Sequence, residues 1–354
     1  MSAAFHVAVD VGGTHIRAAL FPDDEPRILR RAKSDTPRSS RPDDILEAIL
    51  RTIRQVMPAE ENSLSGVALG APGPLDPFEG VVISAPNIPS WRNVPLRQWL
   101  ADRLPCPVQI GNDANLAALG EWQFGAGQGA SDLVYLTIST GIGGGVIADG
   151  RLLLGRRGLA AELGHITVLP DGPQCSCGQR GHLEALASGP AIAREARRSL
   201  SDLSRPSLLR DLSGGDSSQI TAQMIAQAAL AGDELAQQLI ATAGRHIGQA
   251  LASILCVFNP STIILGGGVS QAGPLLFDPV RETTIALAMS PSYLEDLRIA
   301  PAALGDDVGL FGAYALSVGL ASQPVPTSSP TSPAKPRGDP HAHPDLQGSR
   351  PQGR

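Results

Sequence analysis

Hydrophobic positions open the chain in two runs that flank a short turn. Residues 5–11, "FHVAVDV", and 15–21, "HIRAALF", lie on either side of "GGT". Apolar runs of this length bounded by glycines predict β-strands, and the short glycine turn predicts a hairpin. The stretch "LVYLTISTGIGGGVIADG", 133–150, repeats this order. Two glycine hairpins in one chain predict a duplicated α/β domain that holds a ligand between its copies.

Helical and further strand patterns occupy the rest of the first 320 positions. Helices are predicted at 42–56, after Asn112-Asp113, and at 219–231, 233–257 and 308–320, and strands near 66–70, 80–84 and in "STIIL". We therefore predict an N-terminal α/β domain over 1–115 and a C-terminal one over 116–306. The last helix, 307–320, is expected to pack back on the first domain.

Composition separates the end of the chain from the rest. Residues 322–354 are dominated by Pro, Ser, Gly and charge, which predicts a disordered tail. The net charge of −6 provides no basic field for a phosphate backbone, so no nucleic-acid partner is expected. No secretion signal and no membrane span is predicted, because the amino terminus lacks a basic segment followed by an apolar one and no long apolar run occurs.

The four cysteines indicate a reducing compartment. Their spacings do not form a disulfide framework, so a cytoplasmic location is expected. Cys106 and Cys256 stand among apolar neighbours and are predicted to be buried thiols.

The first hairpin turn carries residues suited to phosphate. Gly12 and Gly13 allow backbone N–H groups to approach a phosphate, and Thr14 adds a hydroxyl donor. A carboxylate beside a phosphate requires a cation between them, which makes Asp10 a candidate partner of hydrated Mg²⁺. An ordinary hairpin turn is the alternative. Glycine runs at 139–145 and 266–268 also follow apolar strands, and three such turns suit a nucleotide in a cleft.

Candidate reactive and sugar-binding groups surround these turns. Asp113 stands between a strand and a helix, where a carboxylate can accept the proton of an attacking hydroxyl. A helix N-cap is the alternative role for Asp113. Polar side chains that donate or accept hydrogen bonds in pairs suit a polyhydroxylated ligand; they are Asn87, Asn112, Glu162, His165 and Glu184.

A histidine and cysteine cluster is a candidate zinc site. His165, Cys175, Cys177 and His182 are four ligands of the types that a closed tetrahedral zinc site accepts. The "CSC" spacing is tighter than the usual two-residue gap, so a loop with two incidental thiols is the alternative.

Eight blocks, in order, resemble the ROK family of sugar kinases and sugar-responsive repressors over residues 5–320. They read "DVGGTHIRAAL", "GAPGPLD", "PNIPSW", "GNDANLAALGE", "STGIGGGVIADGRLLLG", "AELGHITV", "CSCGQRGHLEALASG" and "IILGGGVS". The resemblance implies two actin-like (ribonuclease H-like) domains around a central cleft, in a homodimer or homotetramer.

The resemblance also assigns roles to individual residues. Asp113 matches the catalytic base, and the five polar residues named above match sugar-binding positions. Positions matching the nucleotide-binding segments are Asp10, Gly12, Gly13, Thr14, Thr140, Gly141, Gly143, Gly144, Gly267 and Gly268.

The activity implied is transfer of the ATP γ-phosphoryl group, with Mg²⁺, to the 6-hydroxyl of glucose. Alternatives are another sugar (N-acetylglucosamine, N-acetylmannosamine, mannose or fructose) or polyphosphate as donor. A sugar-sensing repressor is a further alternative, but family repressors carry a DNA-binding domain ahead of the first phosphate motif, whereas nine residues precede Asp10 here.

The resemblance implies a structural zinc in the loop 165–184, where it shapes the sugar-binding residues. In the family the ligands are the histidine of an ExGH block and the cysteines of CxCGxxGC. This chain has His182 in place of the third cysteine. Because histidine is longer than cysteine and neutral, we expect weaker or less selective zinc binding here.

Overall fold

The computed structural model describes residues 4–60, 63–202 and 205–321. The predicted disordered tail, 322–354, lies outside this part of the chain. The strands are β1 (Phe5–Val11), β2 (His15–Pro22), β3 (Arg30–Asp35), β4 (Leu64–Ala71), β5 (Leu75–Asp76), β6 (Val81–Ser84), β7 (Arg92–Val94), β8 (Val108–Asn112), β9 (Leu133–Ile138), β10 (Ile142–Ala148), β11 (Arg151–Leu152), β12 (Thr262–Gly266) and β13 (Arg298–Pro301). The helices are α1 (Pro42–Val56), α2 (Leu96–Ala101), α3 (Asp113–Phe124), α4 (Leu183–Ala187), α5 (Gly189–Ser199), α6 (Leu209–Leu212), α7 (Ala222–Leu230), α8 (Glu234–Phe258), α9 (Pro274–Leu287) and α10 (Val308–Ala321).

Two five-stranded sheets repeat one topology. The first has the order β3-β2-β1-β4-β8 and the second β11-β10-β9-β12-β13. In both, the first two pairings are antiparallel and the last two are parallel. Each sheet therefore contains a hairpin with a glycine turn, β1–β2 in the first and β9–β10 in the second, and the two hairpins occupy equivalent places in the strand order. A small antiparallel sheet, β5-β6-β7, follows β4.

The first sheet is covered on both faces, as the alternation along β1 requires. Val7, Val9 and Val11 belong to the core that α1 covers, and Ala8 points to the opposite core with α10. Helix α1 begins at Pro42 and has acidic residues in its first turn, which suit its positive end.

Helix α3 lies between the two sheets. Leu116 packs in the core that includes Ala8 and α10, whereas Ala117 and Ala118 pack with Tyr135 of β9. A side chain on Gly312 of α10 would place its Cβ 1.8 Å from the carbonyl oxygen of Leu116. The two helices are therefore in backbone contact, which only glycine allows.

The remaining face of the second sheet is covered by helices, chiefly α8 and α9. Asp233 caps α8 by accepting from the N–H of Ala236 at 2.8 Å. The described helices include none that is both long and apolar enough to cross a membrane.

The prediction that Cys256 is buried is wrong, because its side chain is exposed on α8. Its apolar neighbours in the sequence lie on different faces of the helix: Leu255 is buried, but Val257 is 71% exposed. Cys106 is half-buried against the first core, and burial raises the pKa of its thiol to about 11. Strand β3 was not predicted, because this edge strand is mostly polar and lacks a run of apolar residues.

Candidate active site

The first glycine turn joins β1 to β2 and is held by backbone contacts. The N–H of Gly12 donates to the carbonyl of His15 at 2.9 Å, and the hydroxyl of Thr36 donates to the carbonyl of Gly12 at 2.7 Å. A Cβ on Gly13 would lie 2.8 Å from the Cβ of Asn87. The turn therefore requires glycine, and Asn87 lies directly beside it.

Asp10 is paired with an arginine that sequence reasoning missed. Arg17 donates through Nε to Oδ2 of Asp10 at 3.2 Å, with a second, closer contact from Nη2 to the same oxygen. Its Nη1 donates to the carbonyl of Asp306 at 2.6 Å. The predicted hairpin could have revealed this pair, because Asp10 and Arg17 lie directly opposite each other on β1 and β2, where opposite charges stabilise the pairing.

Asp113 is the first residue of α3, but the helix is capped by its neighbour. The side-chain oxygen of Asn112 accepts from the N–H groups of Ala114 and Asn115, at 3.0 and 3.2 Å. Oδ1 of Asp113 accepts from Ala114 at 2.8 Å, and among the described residues its Oδ2 has no hydrogen-bond donor. The N-cap alternative for Asp113 is therefore wrong, and its second oxygen is available to a ligand.

The pKa of Asp113 is raised to about 7. Removal from bulk water is the main cause, and the carboxylates of Asp10 and Glu162 raise it further. The side chain is still accessible from the open cleft. Water in the cleft therefore solvates part of the Asp113 charge. Burial raises the pKa of this carboxyl most when a ligand displaces that water. A carboxylate with such a pKa is well matched to accept a proton near neutral pH.

The second glycine turn, 139–141, joins β9 to β10. The N–H of Ser139 donates to the carbonyl of Gly141 at 2.9 Å, and Ser139 and Thr140 are exposed in the cleft. Gly143 and Gly144 lie within β10, where a Cβ would come within 2.8 Å of Ala114 and 2.7 Å of Leu163, respectively. The structure thus gives both glycines a packing role, and their contact with a nucleotide stays a prediction.

The third glycine run lines a cavity of about 760 Å³. Gly267 and Gly268 follow β12, and Gly267 has φ +84°, a conformation that favours glycine. Other wall residues include Arg17, Tyr135, Ser139 and Phe277. The cavity therefore connects the Asp10 region to both other glycine runs, and its volume is in the range of small-molecule sites.

Glu162, His165 and Glu184 lie near one another, and Glu162 is close to Asp113. Burial raises the pKa of Glu162, the nearby His165 opposes this, and Glu184 adds to it. Glu184 is half-buried and makes two hydrogen bonds: its Oε2 accepts from the N–H of Ile142 at 3.0 Å and its Oε1 from the hydroxyl of Ser176 at 2.8 Å. Asn112 keeps its amide nitrogen for donation, beside Gly73.

The four predicted metal ligands converge. One ligand atom of each of His165, Cys175, Cys177 and His182 lies within 4.8 Å of the others. Nδ1 of His182 is 3.3 Å from both Nδ1 of His165 and Sγ of Cys177, and Nδ1 of His165 is 3.6 Å from Sγ of Cys175. Tetrahedral zinc with nitrogen and sulfur ligands requires separations of about 3.3–3.8 Å. The donor set and its spacing therefore fit zinc, with His182 in the fourth position.

Comparison with known proteins places these features in a family. The ROK family model matches residues 6–319. A glucokinase of Thermotoga maritima is 40% identical over 310 residues, which are 88% of this chain and 96% of the relative. An N-acetylmannosamine kinase of Citrobacter koseri is 33% identical, covering 88% of this chain and 98% of the relative.

A solved structure agrees with the sequence relatives. The ROK glucokinase of Streptomyces griseus, in complex with glucose and AMPPNP, superposes with a TM-score of 0.77 at 38% identity, covering 88% of this chain and 99% of that chain. The predicted family resemblance and the predicted fold of two actin-like halves are thereby confirmed.

Proposed function

The chain belongs to the ROK family, and on that premise we propose that it is an ATP-dependent glucokinase. The observation that carries the proposal is the placement of Asp113. Its carboxylate is close both to Asp10, beside the first glycine turn, and to Glu162 of the cluster that includes His165 and Glu184. The named glucokinase relatives support glucose as the acceptor.

In the proposed reaction Asp113 accepts the proton of the glucose 6-hydroxyl as that oxygen attacks the γ-phosphorus of ATP. The bond from the γ-phosphorus to the bridging oxygen breaks, and ADP leaves with the electron pair. The backbone N–H groups of the first two turns hold phosphate oxygens, and the 760 Å³ cavity takes the adenosine. Asn87, Asn112, Glu162, His165 and Glu184 orient the sugar.

The first turn also suits a hydrated Mg²⁺ ion. Arg17 occupies only Oδ2 of Asp10, so Oδ1 is available to a metal-bound water. A bound Mg²⁺ ion would neutralise part of the negative charge of the phosphates. Arg17 fixes the carboxylate that faces it.

Zinc is proposed as a structural ion held by His165, Cys175, Cys177 and His182. When bound, it supplies a fixed loop conformation. Ligation through Nδ1 of His165 would leave Nε2 to meet a sugar hydroxyl and would fix the protonation of the ring. His165 would thereby be held in one orientation toward the sugar.

A coupled assay with ATP over glucose, mannose, fructose, N-acetylglucosamine and N-acetylmannosamine tests the acceptor. We expect the highest kcat/KM for glucose. The N-acetylmannosamine kinase relative makes that aminosugar the second candidate. A higher kcat/KM for any other sugar would contradict the glucose assignment, and the absence of turnover with every sugar would contradict kinase activity. Polyphosphate in place of ATP tests the donor in the same assay.

A further inference from the structure

We propose that metal binding in the loop 174–182 and nucleotide binding at the second glycine turn are coupled through Glu184. This inference rests on the proposed function and on the proposed zinc site. Glu184 acts as a positioning residue in this coupling, because one of its carboxylate oxygens contacts the metal loop and the other contacts the turn.

The shorter contact on the metal side is made by Ser176, whose hydroxyl donates to Oε1 of Glu184 at 2.8 Å. Sγ of Cys175 lies 3.7 Å from the same oxygen. Ser176 stands between Cys175 and Cys177, both of which belong to the proposed ligand set. The position of the serine hydroxyl is therefore set by two metal bonds, one on each side of it.

The same ion also sets the position of Glu184 along the chain. His182 is the N-cap residue of α4, and Glu184 is the second residue of that helix. Only Leu183, which is fully buried, separates the ligand from the carboxylate. Metal ligands thus stand on both sides of Ser176 in the chain and two residues before Glu184.

The contact on the nucleotide side is made at the end of the turn. Oε2 of Glu184 accepts from the N–H of Ile142 at 3.0 Å. The approach is so close that a Cβ on Gly141 would lie 2.6 Å from this oxygen. The conformation of residues 139–141 therefore depends on where the carboxylate is held.

A second contact from the same region supports the other end of the turn. The N–H of Gly189, just beyond α4, donates to the carbonyl of Ser139 at 2.8 Å. Ser139 lines the large cavity. The turn that faces the nucleotide is thus held at both ends by the segment that follows His182.

Loss of the metal releases Cys175 and Ser176 together, so neither of the two groups that contact Oε1 of Glu184 is held in place any longer. The carboxylate can then move away from Ile142, and the turn must be ordered again when a nucleotide binds. We expect ADP to bind about 10-fold more weakly to the metal-free protein, in the usual range of coupling between sites. Coupling is reciprocal, so ADP should raise zinc affinity by the same factor.

The test measures ADP affinity by calorimetry, without sugar, in zinc-loaded and chelated full-length protein. Omitting sugar removes effects that pass through His165 or Glu162. Ser176→Ala keeps all four ligands and removes only the hydroxyl. Ser253→Ala, an exposed serine on α8, is the matched control.

Zinc-loaded Ser176→Ala should retain its zinc, bind ADP about as weakly as the metal-free wild type, and change by less than about twofold on chelation. Ser253→Ala should keep the full 10-fold difference. Equal ADP affinity with and without zinc in the wild type would overturn the proposal, as would unchanged coupling in Ser176→Ala. A wild-type protein that holds no zinc would overturn it as well.

Two further measurements separate this proposal from the kinase assignment. If the zinc-loaded wild type phosphorylates glucose but shows no coupling, only the coupling fails. If chelation unfolds the chain, as circular dichroism would report, the comparison is made between zinc-loaded Ser176→Ala and zinc-loaded wild type. The expected result is again about 10-fold weaker ADP binding in the variant, and equal affinities would overturn the proposal.

Discussion

At the scale of single residues, the most informative feature is that the adjacent residues Asn112 and Asp113 have different roles. Asn112 satisfies the free N–H groups at the start of α3. Asp113 therefore does not have to cap the helix, and its Oδ2 is left available to a ligand. Adjacent residues of similar shape thus serve different purposes, and a sequence alone does not show which one caps the helix.

Asp113→Asn should lower kcat by at least about 1,000-fold, while glucose affinity stays within a few-fold, because an amide cannot accept the proton. Steady-state kinetics and glucose calorimetry measure the two effects. Asp24→Asn, an exposed residue of the same type, should leave both unchanged. Turnover within about tenfold of the wild type, roughly 1.4 kcal/mol of barrier, would rule out the base role.

The pH dependence of the same reaction follows from the raised pKa of Asp113, about 7. The base must be deprotonated, so kcat/KM should rise about tenfold per pH unit below this pKa and level off above it. A rate that is flat between pH 5 and 7 would contradict this explanation.

His182→Ala should hold zinc at least about 10-fold more weakly in competition with a chelator, because removing a ligand leaves zinc with three protein bonds. His182→Cys restores the family ligand and should bind at least as tightly as the wild type. His246→Ala, a half-buried histidine of α8 outside the metal cluster, is the control. Equal zinc retention in His182→Ala and wild type would remove His182 from the ligand set.

At the scale of elements, the feature that stands out is a fully buried carboxylate near the end of α3. The carboxylate of Glu121 accepts from the N–H groups of Ala126, Ala303 and Leu304, at 2.8–3.1 Å. Ala126 lies where the chain leaves α3 for β9. Ala303 and Leu304 lie where it leaves β13 for α10. The Glu121 side chain thus links the two segments in which the chain passes from one sheet to the other.

Glu121→Gln should lower the free energy of unfolding by about 1–3 kcal/mol and raise the KM for ATP. The amide places an N–H₂ group against backbone N–H donors, beside a loop whose residues Ala302 and Gly305 line the cavity proposed for the nucleotide. Urea unfolding and steady-state kinetics measure the effects. Glu47→Gln, exposed on α1, is the control and should change neither. A change below about 0.5 kcal/mol would show that Glu121 is not a structural link.

The elements also show what the sequence can and cannot predict. The two hairpins and the helix 42–56 follow from local periodicity and were predicted correctly. The metal ligands were predicted from their chemistry, and the structure brings them together. Contacts between distant segments, such as Ser176 with Glu184 or Glu121 with Ala303, leave no local pattern. They were therefore found only in the structure.

At the scale of the whole molecule, two copies of one topology face each other with α3 between them. The division at residue 115 stays a prediction, because α3 packs on both sheets. The homo-oligomeric state also stays a prediction. The first glycine run and Asp113 follow strands of the first sheet, and the other two runs follow strands of the second, so the proposed site requires both copies.

The position of α10 has a consequence for how the chain is made. The face of β1 that carries Ala8 is covered by Leu310, Ala313 and Tyr314, about 300 residues later. At about 5–20 residues per second, a ribosome needs roughly 15–60 s to supply them. During that interval the part of this face that α10 covers stays exposed to chaperones or to a neighbouring nascent chain, although Leu116 of α3 is already available to pack against the sheet. The sheet that is synthesised first is thus the last to be completed.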